Sequence, residues 1–236
     1  MAVFGTVAAV SLPPNLTHMI DWNHIDTVLL DMDGTLLDLN FDNHFWREHV
    51  PLRYAEKYQL DIEAAKQALF PKFRNAEGTI DWYCVDYWSE QLGLDIAMLK
   101  QEVDHLIAVH PHVIQFLDRL KALGKQRALV TNAHHKSLML KLERTALHHH
   151  LDEIICSHDF GVPKENLDFW SKLHDKLPFN KLRTLLVDDS LPVLRSAHNY
   201  GIAGLLAVTK PDSQSPQRQV DEFQAIYDFS DIMPEL

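Results

Sequence analysis

The chain has 236 residues, 46% of them hydrophobic and 23% charged, a balance that suits one soluble globular domain or one domain carrying a large insertion. Its 22 basic against 33 acidic residues leave a formal charge of −11, which argues against a general nucleic-acid or anionic-membrane binder. No apolar run approaches bilayer length, and the two cysteines, Cys84 and Cys156, imply no disulfide framework and fit a reducing cytoplasm.

The chain opens mildly apolar, as MAVFGTVAAVSLPP, but its first basic residue is Arg47, so no secretory leader is expected and residues 1–19 stand as an N-terminal extension. The first strong signal is VLLDMDGTLLD, residues 28–38, where an apolar run ends in two carboxylates two residues apart followed by Gly-Thr. The run predicts a buried strand, and its end is where an open α/β sheet places its ligand crevice. If the extended backbone continues, Asp31 and Asp33 point the same way, a repulsive arrangement tolerated mainly where a metal ion or a proton is held. Taken alone, DMDG reads equally well as an Asp-Gly turn with an Asx cap.

Residues 42–110 show no strand-like run but several helical ones: HFWREHVPLRYAEKY, IEAAKQALFPKF, WYCVDYWSEQLG and IAMLKQEVDHLIAV. A crossover between parallel strands needs one helix, not four, so this interval is expected to be an all-helical module inserted into an α/β domain made of residues 20–41 and 111–236. With seven basic and twelve acidic residues it is no basic clamp for nucleic acid. Beyond it, strands are expected at residues 126–132, 151–157, 183–189 and 202–208, separated by helical patterns, two of which close on Gly124 and Gly201. That alternation predicts a doubly wound, Rossmann-like parallel sheet.

Each later strand end carries chemistry: Thr131 and Asn132 in LVTN, Lys164 in FGVPKEN, and Asp188 and Asp189 in VDDS, with Ser190 placed to cap the next helix. Singly, these are a turn, a solvated lysine and a capping segment. Together they matter, because the carboxyl ends of parallel strands converge on one crevice. The set suits phosphoryl transfer. A phosphate dianion near a carboxylate meets about 4 kcal/mol of repulsion per charge pair at ~4 Å and an effective dielectric of ~20, which Mg2+ held by carboxylates plus a lysine ammonium can cancel.

DMDGT, LVTN, Lys164 and VDD, in that order and at strand ends, resemble the four motifs of the haloacid dehalogenase (HAD) superfamily, and the helical insert resembles its α-helical cap. The resemblance implies Asp31 as the nucleophile of an aspartyl-phosphate, and Asp33 as acid and then base. It implies phosphate binding by Thr131, Asn132 and Lys164. It also implies Mg2+ held by Asp31, the Asp33 carbonyl and Asp188, with Asp189 close by or acting through water. Family members that act on carbon–halogen bonds lack the second aspartate, so a dehalogenase is not expected. DWYCVDYWSEQLGLDI, FDNHFW, GKQRALVTNAH and FGVPKE are more closely similar to bacterial GMP/IMP 5′-nucleotidases, from about residue 21 to near the C-terminus.

Within the fold, a sugar-phosphate phosphatase or a phosphomutase stays open. A phospho-accepting receiver domain is disfavoured, since it has no helical insert and carries its phosphorylated aspartate on a later strand than its acidic pair. Substrate choice is expected to lie in the insert, whose aromatics are mostly core at helical spacing. Trp82, Tyr83, Lys72 and Arg74 are the candidates to meet a leaving group. His148, His149 and His150 read as a solvated helix end, since consecutive helical residues point apart. His134 and His135 lie nearer the crevice, Cys84 reads as packing, and KPDSQSPQ, residues 210–217, as a surface loop.

Overall fold

The computed structural model describes residues 20–236, so the extension expected over residues 1–19 lies outside the described residues. Six parallel strands form one sheet: β1 (Thr27–Leu30), β2 (Gln126–Thr131), β3 (Glu153–Cys156), β4 (Thr184–Asp188), β5 (Gly204–Val208) and β6 (Gln224–Ile226), in the order β3-β2-β1-β4-β5-β6. No residue pattern marks β6, which has only three residues and follows an irregular stretch.

Between β1 and β2 the chain builds a helical layer: α1 (Asn40–His44), a π-helical turn (Phe45–His49), α2 (Val50–Tyr58), α3 (Ile62–Ala76), α4 (Ile80–Tyr83), α5 (Val85–Leu92) and α6 (Ile96–Glu102). Two of the expected helical runs are broken. Pro51 lacks an N–H, and the wide turn just before it absorbs the lost bond. WYCVDYW divides at Cys84, whose extended backbone separates α4 from α5. Four more helices complete the fold: α7 (Val113–Ala122), α8 (His135–Thr145), α9 (Leu167–Lys176) and α10 (Leu191–Tyr200).

The period-two geometry of the strands makes the double winding. In β1, Val28 and Leu30 pack with Phe116 and Leu120 of α7 and Leu138 of α8, while Leu29 packs on the other face with Trp170 of α9 and Leu194 of α10. Both faces are covered, so all four residues of β1 are buried. A third apolar cluster, including Phe41, Phe45, Phe73 and Trp88, lies within the helical layer. Two connecting segments run side by side between layer and sheet, through Asp38 N to Ala108 O (2.9 Å) and His110 N to Leu36 O (2.9 Å). Residues 210–217 form a loop as expected, but not a merely superficial one. Asp212 is buried and accepts a hydrogen bond from Asn43 Nδ2 at 2.6 Å, and Pro211 O accepts from Leu39 N, so the loop braces these connections. No helix among the described residues is long and apolar enough to cross a membrane.

Candidate active site

The strand register builds the site. Leu30 lies opposite both Leu129 and Val187, so Asp31 and Asp188 emerge level at the carboxyl edge of the sheet, with Thr131 one residue further along on β2. Asp31 N donates to Val187 O at 3.0 Å, carrying the extended pairing one residue past β1. The chain then turns sharply at Gly34, whose φ of +90° and crowded surroundings both require glycine. A Cβ there would lie 2.8 Å from Asp189 Cγ.

Lys164 is buried and spends its three donors on Asp31 Oδ1 (2.5 Å), Asp188 Oδ2 (2.7 Å) and Val130 O (2.9 Å). This ion-paired setting holds its ammonium above the ordinary lysine range, against burial. Asp31, Asp188 and Asp189 bring carboxylate oxygens within 4.8 Å of one another. Burial pushes Asp31 up to about 6 despite Lys164, with Asp188 adding to the rise. Burial likewise raises Asp188, and raises Asp189 well above the carboxylate range, where Asp31 and Asp188 add repulsion. Such a concentration of hard, negatively charged oxygen ligands fits a small divalent cation such as Mg2+.

Asp33 emerges beside Asp31, is likewise raised by burial to about 6, and receives Lys141 Nζ at 2.6 Å. The same ammonium lies 2.6 Å from Asp42 Oδ2, and Lys100 donates to Asp42 Oδ1 at 2.9 Å. This chain of alternating charges runs from the sheet edge through α8 to the helical layer. Lys141, Asp42 and Lys100 were not among the expected site residues. A signal was present: Lys141 sits on the buried stripe of α8 with Leu138 and Leu142, and Lys100 on that of α6 with Ile96 and Leu99, where a bland surface lysine does not belong.

Thr131 Oγ1 accepts from Ala133 N at 3.0 Å and keeps its own hydroxyl proton to donate. Asn132 Oδ1 accepts from Lys164 N (2.9 Å) and its Nδ2 donates one of its two protons to Glu165 Oε2 (2.9 Å), so the amide holds the Lys164–Glu165 turn and keeps a second N–H. Ser190 occupies the cap position of α10, yet its side chain does not cap, and its N–H donates to Asp188 Oδ1.

The helical layer closes over these groups and leaves a cleft of about 840 Å3, lined by Asp31, Asp33, Lys164, Asp188 and Asp189 at its floor and by Trp46, Phe70, Phe73, Arg74, Trp82 and Tyr83 above. Tyr83 Oη donates to Glu165 Oε1 at 2.6 Å, latching the layer to the turn that carries Lys164. Trp82 packs among Trp46, Phe73 and Trp88 and still borders the cleft. Lys72 does not reach it. Two residues from Arg74 on one helix, it points about 200° away and borders a separate groove with Thr79, Asp81 and Gln91. His148 and His149 are exposed and His150 pairs with Asp118. His134 borders the cleft, His135 pairs with Asp159, and Cys84 caps α5 by accepting from Tyr87 N rather than merely packing.

A doubly wound sheet whose edge presents paired aspartates, a buried lysine and an acidic cluster beneath a helical layer defines a hydrolase of the phosphatase type. The chain belongs to the haloacid dehalogenase-like hydrolases, whose family model matches residues 25–201. It is 42% identical over 217 residues to the GMP/IMP nucleotidase YrfG of Escherichia coli (strain K12), which covers 92% of this chain and 98% of the relative, and equally to its namesake in Shigella flexneri. Among solved structures, a HAD phosphatase from Thermococcus onnurineus superposes with a TM-score of 0.72 at 20% identity, covering 87% of this chain and 95% of the other.

Proposed function

We propose that this chain hydrolyses purine nucleoside 5′-monophosphates, GMP and IMP foremost, through a phosphorylated Asp31, as a cytoplasmic enzyme with residues 42–110 as its cap. The observation that carries the chemistry is the buried Asp31 carboxylate, oriented by Lys164 at 2.5 Å with Asp33 beside it. Support for the substrate comes from the 42% identical relative bearing the GMP/IMP nucleotidase name and from an aromatic-walled cleft that suits a flat base.

In this mechanism an Asp31 oxygen attacks phosphorus while Asp33, raised to about 6, delivers a proton to the departing ribose oxygen. The alcohol leaves, and Asp33, now a carboxylate, takes a proton from the water that cleaves the acyl phosphate, which returns Asp31. Lys164 neutralises charge on Asp31 and on a phosphoryl oxygen, and the Thr131 hydroxyl donates to another. Asn132 contributes by holding the Lys164 backbone in place. Mg2+ would be held by Asp31, the Asp33 carbonyl and Asp188, with Asp189 close by, and would supply charge neutralisation for the incoming dianion.

Phosphate release from GMP, IMP, AMP, UMP and glucose 6-phosphate, with and without Mg2+, tests the reading. GMP and IMP should lead, since a site that satisfies their shared 6-oxo acceptor penalises the amine of AMP. Glucose 6-phosphate turned over best would make this a sugar-phosphate phosphatase. Full activity in excess chelator would end the role given to Mg2+.

A further inference from the structure

A second group of ligating side chains lies at the seam between the helical layer and the sheet, and the mechanism above does not use it. Cys84 comes from the junction of α4 and α5, His134 from the loop after β2, and His158 from the turn after β3. Far apart in sequence, they meet because the helical layer sits on the carboxyl ends of β2 and β3. One ligating atom from each lies within 4.8 Å of the others. From this convergence we propose that Cys84, His134 and His158 form a site for a borderline-soft transition metal, Zn2+ in the first instance, that staples the helical layer to the α/β core.

Three observations carry the assignment. His158 Nε2 is buried and has no hydrogen-bond partner, one of three such side-chain atoms among the described residues. A buried ring nitrogen is normally paired, and an ion bound there would satisfy its lone pair. His134 has a carboxylate near its second ring nitrogen. Its Nδ1 makes only a 3.3 Å contact with Lys136 N, which an ion can displace, while its Nε2 lies 3.7 Å from Asp86 Oδ2. Nδ1 on the metal with Nε2–H directed at a carboxylate is the usual support of a metal-bound imidazole. The Cys84 sulfur faces the first turn of α5, taking the Tyr87 N–H at 3.4 Å, and the charge it carries once its proton passes to water would meet the positive end of that helix. Burial also pushes His158 down to about 4 and lowers His134, so both rings are in the neutral, ligating form at neutral pH.

The donor set selects the metal. One sulfur and two imidazole nitrogens suit Zn2+, Co2+ or Cu(I), whereas Mg2+ prefers the all-oxygen cluster at Asp31, Asp188 and Asp189. Three protein ligands leave a fourth position for water. His134 borders the cleft, and Tyr83, next to Cys84, is bonded to the neighbour of Lys164, so an ion here fixes one wall of the cleft.

The test uses the full chain, reduced and stripped with chelator, titrated with Co2+ and then Zn2+. Expected are one equivalent of Co2+ giving a thiolate-to-cobalt charge-transfer band, its displacement by Zn2+, and a Zn2+-dependent rise in melting temperature. Cys84→Ser should lose the band. His158→Ala should weaken Zn2+ binding by more than the about 10- to 100-fold typical of losing an outer partner. Cys156→Ser and Asp189→Asn, which leave the three ligands in place, should keep the band. Circular dichroism checks that each variant is folded. A wild-type protein without the band, a band that survives Cys84→Ser, or Zn2+ affinity unchanged in folded His158→Ala overturns the site.

Discussion

Replacing Lys141 by methionine should move the acid limb of catalysis without touching the cleft. Lys141 is 1% exposed and lies 2.6 Å from both Asp33 and Asp42, and Asp42 keeps Lys100 as a second partner. The four groups are charge-balanced, so the substitution leaves Asp33 as the carboxylate without a counterion. A unit pair at ~4 Å and an effective dielectric of ~20 is worth about 4 kcal/mol. The Asp33 side chain is 22% exposed, so solvent recovers part of this, and about 2–3 kcal/mol remains. That corresponds to a further rise of about two pH units above the present value of about 6. In the proposed mechanism Asp33 must be a carboxylate to activate water, so kcat near neutral pH should fall about tenfold and recover toward pH ~9, with KM little changed. The stability cost has a definite sign. A carboxylate whose pKa is higher in the folded state binds more protons folded than unfolded, so its contribution declines as pH rises from the unfolded value to the folded one. Lys141→Met should therefore melt closer to wild type at pH 5 than at pH 8. The measurement is a pair of kcat–pH profiles with melting curves at both pH values. Superimposable limbs with a uniform loss of rate would refute the positioning of Asp33 by Lys141.

Four further outcomes follow from the same geometry. Asp31→Asn should abolish turnover while circular dichroism and melting temperature show an intact fold. Lys164→Ala should cost about a thousandfold in kcat and lower stability by leaving Asp31 and Asp188 facing each other in a buried site, and Lys164→Arg should not restore the rate, since a planar fork does not fit where a compact ammonium sits. Asp189→Asn should raise the melting temperature of the metal-free protein at pH 8 and leave it unchanged near pH 4. The folded-state rise of Asp189 burdens the protein only above the unfolded carboxylate value, and a stabilisation equal at both pH values would refute that cause. Arg74→Ala should raise KM for GMP severalfold while leaving a small phosphomonoester unaffected, whereas Lys72→Ala should change neither, as measured by initial rates on the two substrates.

The α/β core was legible because two independent signals coincided in it. Buried strands announce themselves as short apolar runs, and Asp31, Thr131, Lys164 and Asp188 each fall at or soon after the end of one, so the sheet rule alone brings them together. β6 carries no such signal, because at three residues it is too short for a period of two to register. Lys72 and Arg74 show the opposite limit. Their helix was predicted, but which of its sides faces the cleft depends on how α3 lies over the sheet, and that angle is set by packing among Trp46, Phe73, Trp82 and Trp88.

Several of the residues that escaped prediction share one property: they join the helical layer to the core. Lys141 reaches Asp42, Glu165 takes Tyr83 on one oxygen and Asn132 on the other, and Asp212 holds Asn43. The separations in sequence run from 33 to 169 residues, and no local periodicity encodes such contacts. What local reading can detect is misplacement, a lysine on a buried stripe or an acid in a loop that ought to be solvated. A buried charge is retained only where a partner repays its desolvation, so each such misfit implies an opposite charge or a donor elsewhere in the chain. Lys100 and Lys141 both imply an acid, and Asp42, at the start of the helical layer, serves both. Asp33, the proposed acid–base residue, is thereby tied to the position of that layer, because Lys141 cannot satisfy both carboxylates at 2.6 Å unless α1 lies against α8 as it does here. Any displacement of the layer that draws Asp42 away changes the electrostatic surroundings of Asp33, and with them the pH at which it can exchange its proton.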